Sequence, residues 1–266
     1  MTLPNGSIPI LDHGYIKQLE AWGSDAFIVE TARVSTQGGF KGWGPKACPD
    51  CYSPAAQRSL GYTEMDGSKH SCGKCLMSGQ VAGDEKLLRY LYENKHSTPF
   101  EFAGLTIEIQ APIFVFREWH RHRTQSYSEA SARYAPLENL NYVPSVERLM
   151  MSGGTNKQAG AVKGSEALSK ASAELFRTAL AQSYEYAELG YQKALSDGVP
   201  KELARLVLPV GRYSKMRATA NMRNWLAFLT LRSAPNAQWE IQQYANAVGD
   251  LLRDQFPRTM QLFEGK

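Results

Sequence analysis

Between Leu105 and Tyr134 the chain changes its hydrophobic period, and that change restricts the folds open to it. Leu105-Thr-Ile-Glu-Ile-Gln110 alternates apolar with polar residues, the pattern of a strand with one buried face. Ala111-Pro112 stops it. Pro112-Ile-Phe-Val-Phe-Arg-Glu-Trp-His120 then favours a helix with proline in its first turn, where a missing N–H costs nothing. Arg121, His122 and Arg123 stand at the end of that helix. Three adjacent cationic or titratable groups are costly unless something anionic lies beside them. Further on, Glu129, Ser131 and Arg133 alternate with Ala130, Ala132 and Tyr134, so an extended backbone would aim the three polar groups to one side. Such a surface suits a phosphorylated, planar ligand, because a guanidinium grips phosphate through paired hydrogen bonds and also stacks on rings. The plainer reading of the Arg-His-Arg run is a solvated, salt-bridged helix end.

Composition narrows the class without naming it. The 266 residues are 43% hydrophobic, enough for an ordinary core, and no apolar run approaches the roughly 18 residues a membrane span needs. Met1 to Gly6 lacks the charged and apolar regions of a signal peptide, so a cytoplasmic location is expected. A net charge of +4 fits an anionic substrate but falls short of the basic stripe of a dedicated nucleic-acid binder.

Residues 36 to 80 are rich in glycine, show little hydrophobic periodicity and hold all four cysteines. Cys48-Pro-Asp-Cys51 and Cys72-Gly-Lys-Cys75 form two Cys-x2-Cys pairs separated by 20 residues, the spacing of a four-thiolate zinc ribbon. Zinc, or iron, competes here with two disulfides and with free thiols, and a reducing compartment disfavours the disulfides. A closed four-sulfur site leaves no open coordination position, so such a metal would hold the loop together rather than do chemistry.

Elsewhere the pattern is mostly helical. Phe27 to Ser35 reads as a strand or a helix end, and Asp84 to Asn94 as an amphipathic helix. Pro136 to about Gly164 reads as a mobile loop. From Ser165 to Leu195, the residues Leu168, Leu175, Ala179, Tyr184, Ala187 and Tyr191 recur near helical spacing and are expected in the core. Pro200 to Pro209 is a short helix carrying Arg205 among apolar neighbours; a buried arginine there needs either a structural carboxylate or a bound phosphate. Tyr213 to Ala220 is a predicted strand, Asn221 to Arg232 a helix that Asn221 can cap, and Asn236 to about Phe256 a final amphipathic helix.

Taken in order, these motifs resemble those of the flavin-dependent thymidylate synthases. The resemblance rests on the Arg-His-Arg run followed by Ser131 with Glu129 and Arg133 around it, and on His96-Ser-Thr-Pro-Phe-Glu101 and Ala111-Pro-Ile-Phe-Val115 before it. It continues through Arg205-Leu-Val-Leu-Pro209, Asn221 to Arg223 and Ala237-Gln-Trp-Glu-Ile-Gln-Gln-Tyr244, spanning roughly Thr31 to Tyr244. It implies an α+β fold like that of the thymidylate-synthase-complementing proteins: a sheet with flanking helices and a long helical second half. Residues 1–266 would form a single domain, with the four-cysteine metal-binding insertion at about 36–80 as a zinc-ribbon-like addition to the family's shorter loop.

The resemblance also implies roles. FAD would be met by Thr98, Arg121, His122, Arg123, Glu129, Asn221 and Arg223, and Ala32-Arg-Val-Ser35 resembles a segment near the flavin, with Arg33 or Ser35 as candidates. His96 would lie on the folate side, unless it merely caps a helix or joins the core. Deoxyuridylate would be met by Glu118, Arg121, Glu129, Ser131, Arg133, Arg205 and Arg232. The family has Gln where this chain has Glu118; a carboxylate there would repel phosphate, so Glu118 is expected to pair with an Arg or to meet the sugar or base. Ala227 replaces a flavin-contacting Asn of some relatives. Methylating carbon 5 of a uracil usually takes a cysteine thiolate. Here all four cysteines are assigned to metal, at Cys48, Cys51, Cys72 and Cys75, which fits the flavin route: NADPH and methylenetetrahydrofolate as co-substrates, and Arg232 as the catalytic group that polarises the ring. A homotetramer with shared active sites follows by the same resemblance. Two rivals remain, a flavin-dependent uracil methyltransferase on RNA and a zinc-ribbon nucleic-acid-binding protein; the second predicts no flavin and steeply salt-dependent binding.

Overall fold

Tyr213 to Asn221 and Gly104 to Pro112 pair along their whole lengths, and the rest of the first structural unit is built on that pair. The computed structural model describes residues 3–47, 80–81, 83–151 and 168–265. The chain divides into two compact units, residues 1–22 with 104–255, and residues 23–103 with 256–266.

In the first unit an antiparallel sheet runs in the order β1-β2-β5-β7-β6, made of β1 (Ser7–Ile10), β2 (Gly14–Trp22), β5 (Gly104–Pro112), β6 (Ser126–Glu129) and β7 (Tyr213–Asn221). The alternation read in β5 is real: Leu105, Ile107 and Ile109 are fully buried while Thr106 and Glu108 are half-buried. Across the central pair Thr106 and Thr219 share a hydroxyl hydrogen bond of 2.8 Å. The helices of this unit are α3 (Ile113–Trp119), α4 (Val146–Met150), α5 (Lys170–Ser196), α6 (Lys201–Ala204), α7 (Met222–Arg232) and α8 (Trp239–Gln255). Asn221 caps α7 through a 3.0 Å bond from the Asn224 N–H to its Oδ1, worth about 1 kcal/mol. Trp119, Trp225, Phe228 and Tyr244 make the aromatic core; Trp225 Nε1 donates to the Leu105 carbonyl and the Tyr244 hydroxyl to that of Gln110, at 3.0 and 2.8 Å. Gly14 leaves room for that tyrosine: a Cβ at this position would lie 2.0 Å from its hydroxyl.

The second unit contains α1 (Asp25–Arg33), the two-residue strands β3 (Lys46–Ala47) and β4 (Gln80–Val81), α2 (Glu85–Glu93) and α9 (Pro257–Phe263). The buried Asp25 carboxylate accepts the N–H groups of Arg258 and Thr259 at 2.8 and 3.1 Å, capping α9 from a distant part of the chain. Among the described residues no helix is long and apolar enough to cross a membrane.

Three sequence readings are corrected. The stripe on α5 is not all core, since Leu175 is 72% exposed while Tyr191 is fully buried. The loop after Pro136 contains α4, started by the Ser145 side chain accepting the Arg148 N–H at 3.1 Å. Arg205, in a 3-10 turn from Arg205 to Val207, is exposed rather than buried, so it needs no structural carboxylate.

Candidate active site

The Arg-His-Arg run falls in the turn that follows α3, and the backbone of that turn is locked from below. Trp119 Nε1 donates to the buried Gln125 side chain at 3.0 Å, and the Tyr127 hydroxyl reaches the carbonyls of Trp119 and His122 at 3.1 and 2.7 Å. Burial pushes the Tyr127 hydroxyl well above the usual phenol range, so it stays a donor. Arg121 and Arg123 extend from the fixed turn into solvent with no ion pair or side-chain hydrogen bond among the described residues.

His122 lies edge-on to Phe228, with ring centroids 4.9 Å apart. Its pKa falls to about 4, first because it is buried and then because Arg232 is beside it, partly offset by Glu118. Neutral at pH 7, it accepts a 2.9 Å hydrogen bond from Arg232 Nε at Nε2, which assigns its proton to Nδ1. Arg232, the last residue of α7, also donates through Nη1 to Glu118 Oε2 at 2.6 Å and through Nη2 to the Glu118 carbonyl at 2.9 Å. Three of the five guanidinium donors are thereby used, and one N–H on each terminal nitrogen is left over.

Around this clamp the other predicted residues take separate positions. Asn224 Nδ2 donates to the Thr124 carbonyl at 3.0 Å, which places the first turn of α7, with Asn221 and Arg223, beside the Arg-His-Arg turn. The Asn221 side chain is occupied as the helix cap. Glu129 closes β6, its carboxylate 3.9 Å from His120 Nε2. Past Glu129 the extended backbone expected from the alternation gives way to a turn, because the Tyr134 N–H returns to the Ser131 carbonyl at 3.0 Å. Ser131 Oγ accepts the Arg133 N–H at 3.3 Å, and Arg133 is exposed with its guanidinium 5.6 Å from the Tyr134 ring centre. Lys201 Nζ donates to the Tyr134 carbonyl at 3.0 Å, so the segment carrying Arg205 is tied to that turn.

In the second unit a cavity of about 390 Å³ is lined by Arg33, Ser35, Thr36, His96 and Thr98 together with apolar side chains from α2. Arg33 is held by the fully buried Asp84, yet its Nε is buried with no partner. The four cysteines lie outside the described residues, among which no cluster of His, Cys, Asp and Glu could hold a metal.

The expected pairing of Glu118 with an arginine is present, but the sequence did not identify its partner as Arg232, 114 residues away, or show that His122 shares the grip. Reading the sequence also missed Asp84 as the anchor of Arg33, and the buried pair of Arg212 with Glu188.

An antiparallel sheet with flanking helices, carrying an exposed cationic turn beside a clamped arginine, defines the class as α+β. The family described as thymidylate synthase complementing protein matches residues 19–258. The flavin-dependent thymidylate synthase of Thermus thermophilus is 33% identical over 260 residues, covering 97% of this chain and 78% of that protein. That of Thermotoga neapolitana is 33% identical over 256 residues, covering 96% and 93%. The crystal structure of a UMP/dUMP methylase from Streptomyces cacaoi bound with 5-Br UMP superposes with a TM-score of 0.71 at 28% identity, over 97% of this chain and 96% of that one. The chain belongs to the thymidylate synthase complementing protein family.

Proposed function

We propose that this protein is a flavin-dependent thymidylate synthase that converts dUMP to dTMP, taking its one-carbon unit from methylenetetrahydrofolate and its reducing equivalents from NADPH. The observation that carries this reading is the Arg232 guanidinium, held at three nitrogens and left with two free N–H donors beside the exposed Arg121 and Arg123.

The residues present fit a flavin. The cavity of the second unit is lined by Arg33 and by the hydroxyl-bearing Ser35, Thr36 and Thr98, a donor set suited to the polar chain of FAD. Thr98 is the candidate cofactor contact of this unit; Arg121, His122, Arg123, Glu129, Asn221 and Arg223 are those of the first. FAD held there, once reduced by NADPH, would supply the hydride that completes the methyl group. The side chains supply placement and charge. Arg232 stabilises negative charge developing at the uracil edge, and because the protein already orients it, little reorganisation is needed in the transition state. His122, neutral at working pH, keeps its Nε2 lone pair for Arg232 and adds no competing positive charge. Arg133, Ser131 and the exposed Arg205 would take the phosphate, and Glu129 would orient the cations. No sulfur nucleophile is invoked, since the only four cysteines sit in the two Cys-x2-Cys pairs.

Zinc in a four-thiolate site, a homotetramer with shared active sites and a cytoplasmic location belong to the same proposal. Association is supported by the exposed Leu175, Tyr186 and Leu189 of α5 and by Leu206, each at least 66% exposed; a light-scattering mass other than that of four chains would refute the tetramer. The activity is tested by tritium release from 5-tritiated dUMP. Release should require both NADPH and methylenetetrahydrofolate, and Arg232→Ala should lower kcat by about 100-fold or more. A colourless preparation that neither takes up FAD nor forms thymidylate would overturn the reading.

A further inference from the structure

We propose that Glu118 is a positioning residue for Arg232, fixing the guanidinium before the nucleotide arrives at a cost in nucleotide affinity; this role rests on the thymidylate synthase reading above.

Glu118 offers two acceptors to one guanidinium. Its carboxylate takes Nη1 at 2.6 Å and its own carbonyl takes Nη2 at 2.9 Å. That carbonyl belongs to the last turn of α3, where the backbone dipoles leave partial negative charge, and it also accepts the Arg121 N–H at 3.4 Å. His122 takes Nε from the other side, and its ring is held by Phe228 and by the Tyr127 hydroxyl on its carbonyl. The guanidinium plane is therefore set by three bonds from two residues of one rigid turn.

The clamp also sets charge. With His122 neutral, the carboxylate offsets the positive charge of Arg232, and the group nets close to zero. The Glu118 side chain is 41% exposed, so its negative charge also faces whatever approaches. An approaching nucleotide phosphate is repelled by it, while the orientation of Arg232 is gained. A glutamine would keep an acceptor for Nη1 without the charge. The two contributions can thus be separated by substitution.

The experiment compares FAD-loaded wild type, Glu118→Gln and Glu118→Ala by tritium release, with flavin content and circular dichroism as controls on folding. Glu118→Gln should keep kcat within about 3-fold and lower KM for dUMP by about 3- to 10-fold, because a like charge is removed while an acceptor stays. Glu118→Ala should lower KM at least as much but reduce kcat by about 10- to 100-fold, because orientation is lost. A merely structural role would not move the two constants apart in this way. An alanine variant with wild-type kcat, or a glutamine variant with unchanged KM, overturns the proposal. Crystals of Glu118→Ala supply a readout independent of turnover: Arg232 should occupy more than one orientation, and a single wild-type orientation there also overturns it. That readout stands even if the wild type releases no tritium from dUMP, the result that would sink the thymidylate synthase reading alone.

Discussion

Replacing Glu188 by alanine removes the countercharge of Arg212, the one arginine side chain among the described ion pairs with no exposure at all. Arg212 donates through Nη2 to the Glu188 carboxylate and through Nη1 to the Glu138 carbonyl at 3.0 Å, and its Nε has no partner. After the substitution a buried cation would keep one neutral acceptor. Breaking such a pair costs about 3–5 kcal/mol. Glu188 is itself 15% exposed, so water can enter where its carboxylate was, and the lower end, about 3 kcal/mol, is the expected value. For a chain of this length that corresponds to a drop in Tm of roughly 6–12 °C. Thermal unfolding by circular dichroism at fixed protein and FAD concentration measures it, since ligand and association both move Tm. The Arg212 carbonyl accepts the Ile113 N–H at 2.9 Å at the start of α3, so turnover should fall along with stability. The decisive control is Glu188→Leu with Arg212→Met, which buries no charge and should regain most of the loss. A double variant less stable than Glu188→Ala, or a single variant within about 1 °C of wild type, would refute the reasoning.

Two further outcomes are expected. The His122 pKa lies at about 4 against an ordinary 6.5, so between those values the unfolded chain binds a proton that the folded one does not. The stabilisation is complete above about pH 6.5 and is lost as pH falls toward 4, amounting to about 2 kcal/mol once the partial hydration of the ring is allowed for; unfolding of wild type and His122→Asn across this window should diverge, and parallel curves would refute it. Elemental analysis should find about one zinc per chain, lost in Cys48→Ser, with four thiols titrating only after chelation; two disulfides and no metal would contradict the ribbon.

Much of the fold was legible because local patterns and tertiary demands agree. The alternation of Leu105 to Gln110, the proline before α3 and the asparagine that caps α7 each act over a few residues, and each appears where the sequence places it. Most of what failed depended on neighbours distant in sequence. The stripe on α5 has helical spacing, but spacing cannot say whether an apolar face meets its own chain, and Leu175 does not. The alternation at Glu129 to Arg133 failed locally instead: it looked extended, but the Tyr134 N–H turns back to the Ser131 carbonyl three residues earlier. In the candidate site, residue types were readable from motifs, whereas the pairing of Glu118 with Arg232 depends on how two helices are laid over a sheet.

That layout follows from strand pairing and helix length. In the antiparallel register Pro112 faces Tyr213 and Gly104 faces Asn221, so α3 leaves one end of the central strand pair and α7 leaves the other. The seven residues of α3 and the eleven of α7 rise about 10 and about 16 Å. Together they match the eight steps of a nine-residue strand, about 27 Å at about 3.4 Å each. Each helix therefore runs back until its C-terminal end meets the other, with Trp119 against Phe228 at 4.6 Å sealing the contact. Two helix C-termini brought together present the partial negative charge of their backbone dipoles to one another, an arrangement that is unfavourable unless a cation lies between them. Arg232 is that cation, and for the same reason its guanidinium is ordered at the surface where the nucleotide would bind.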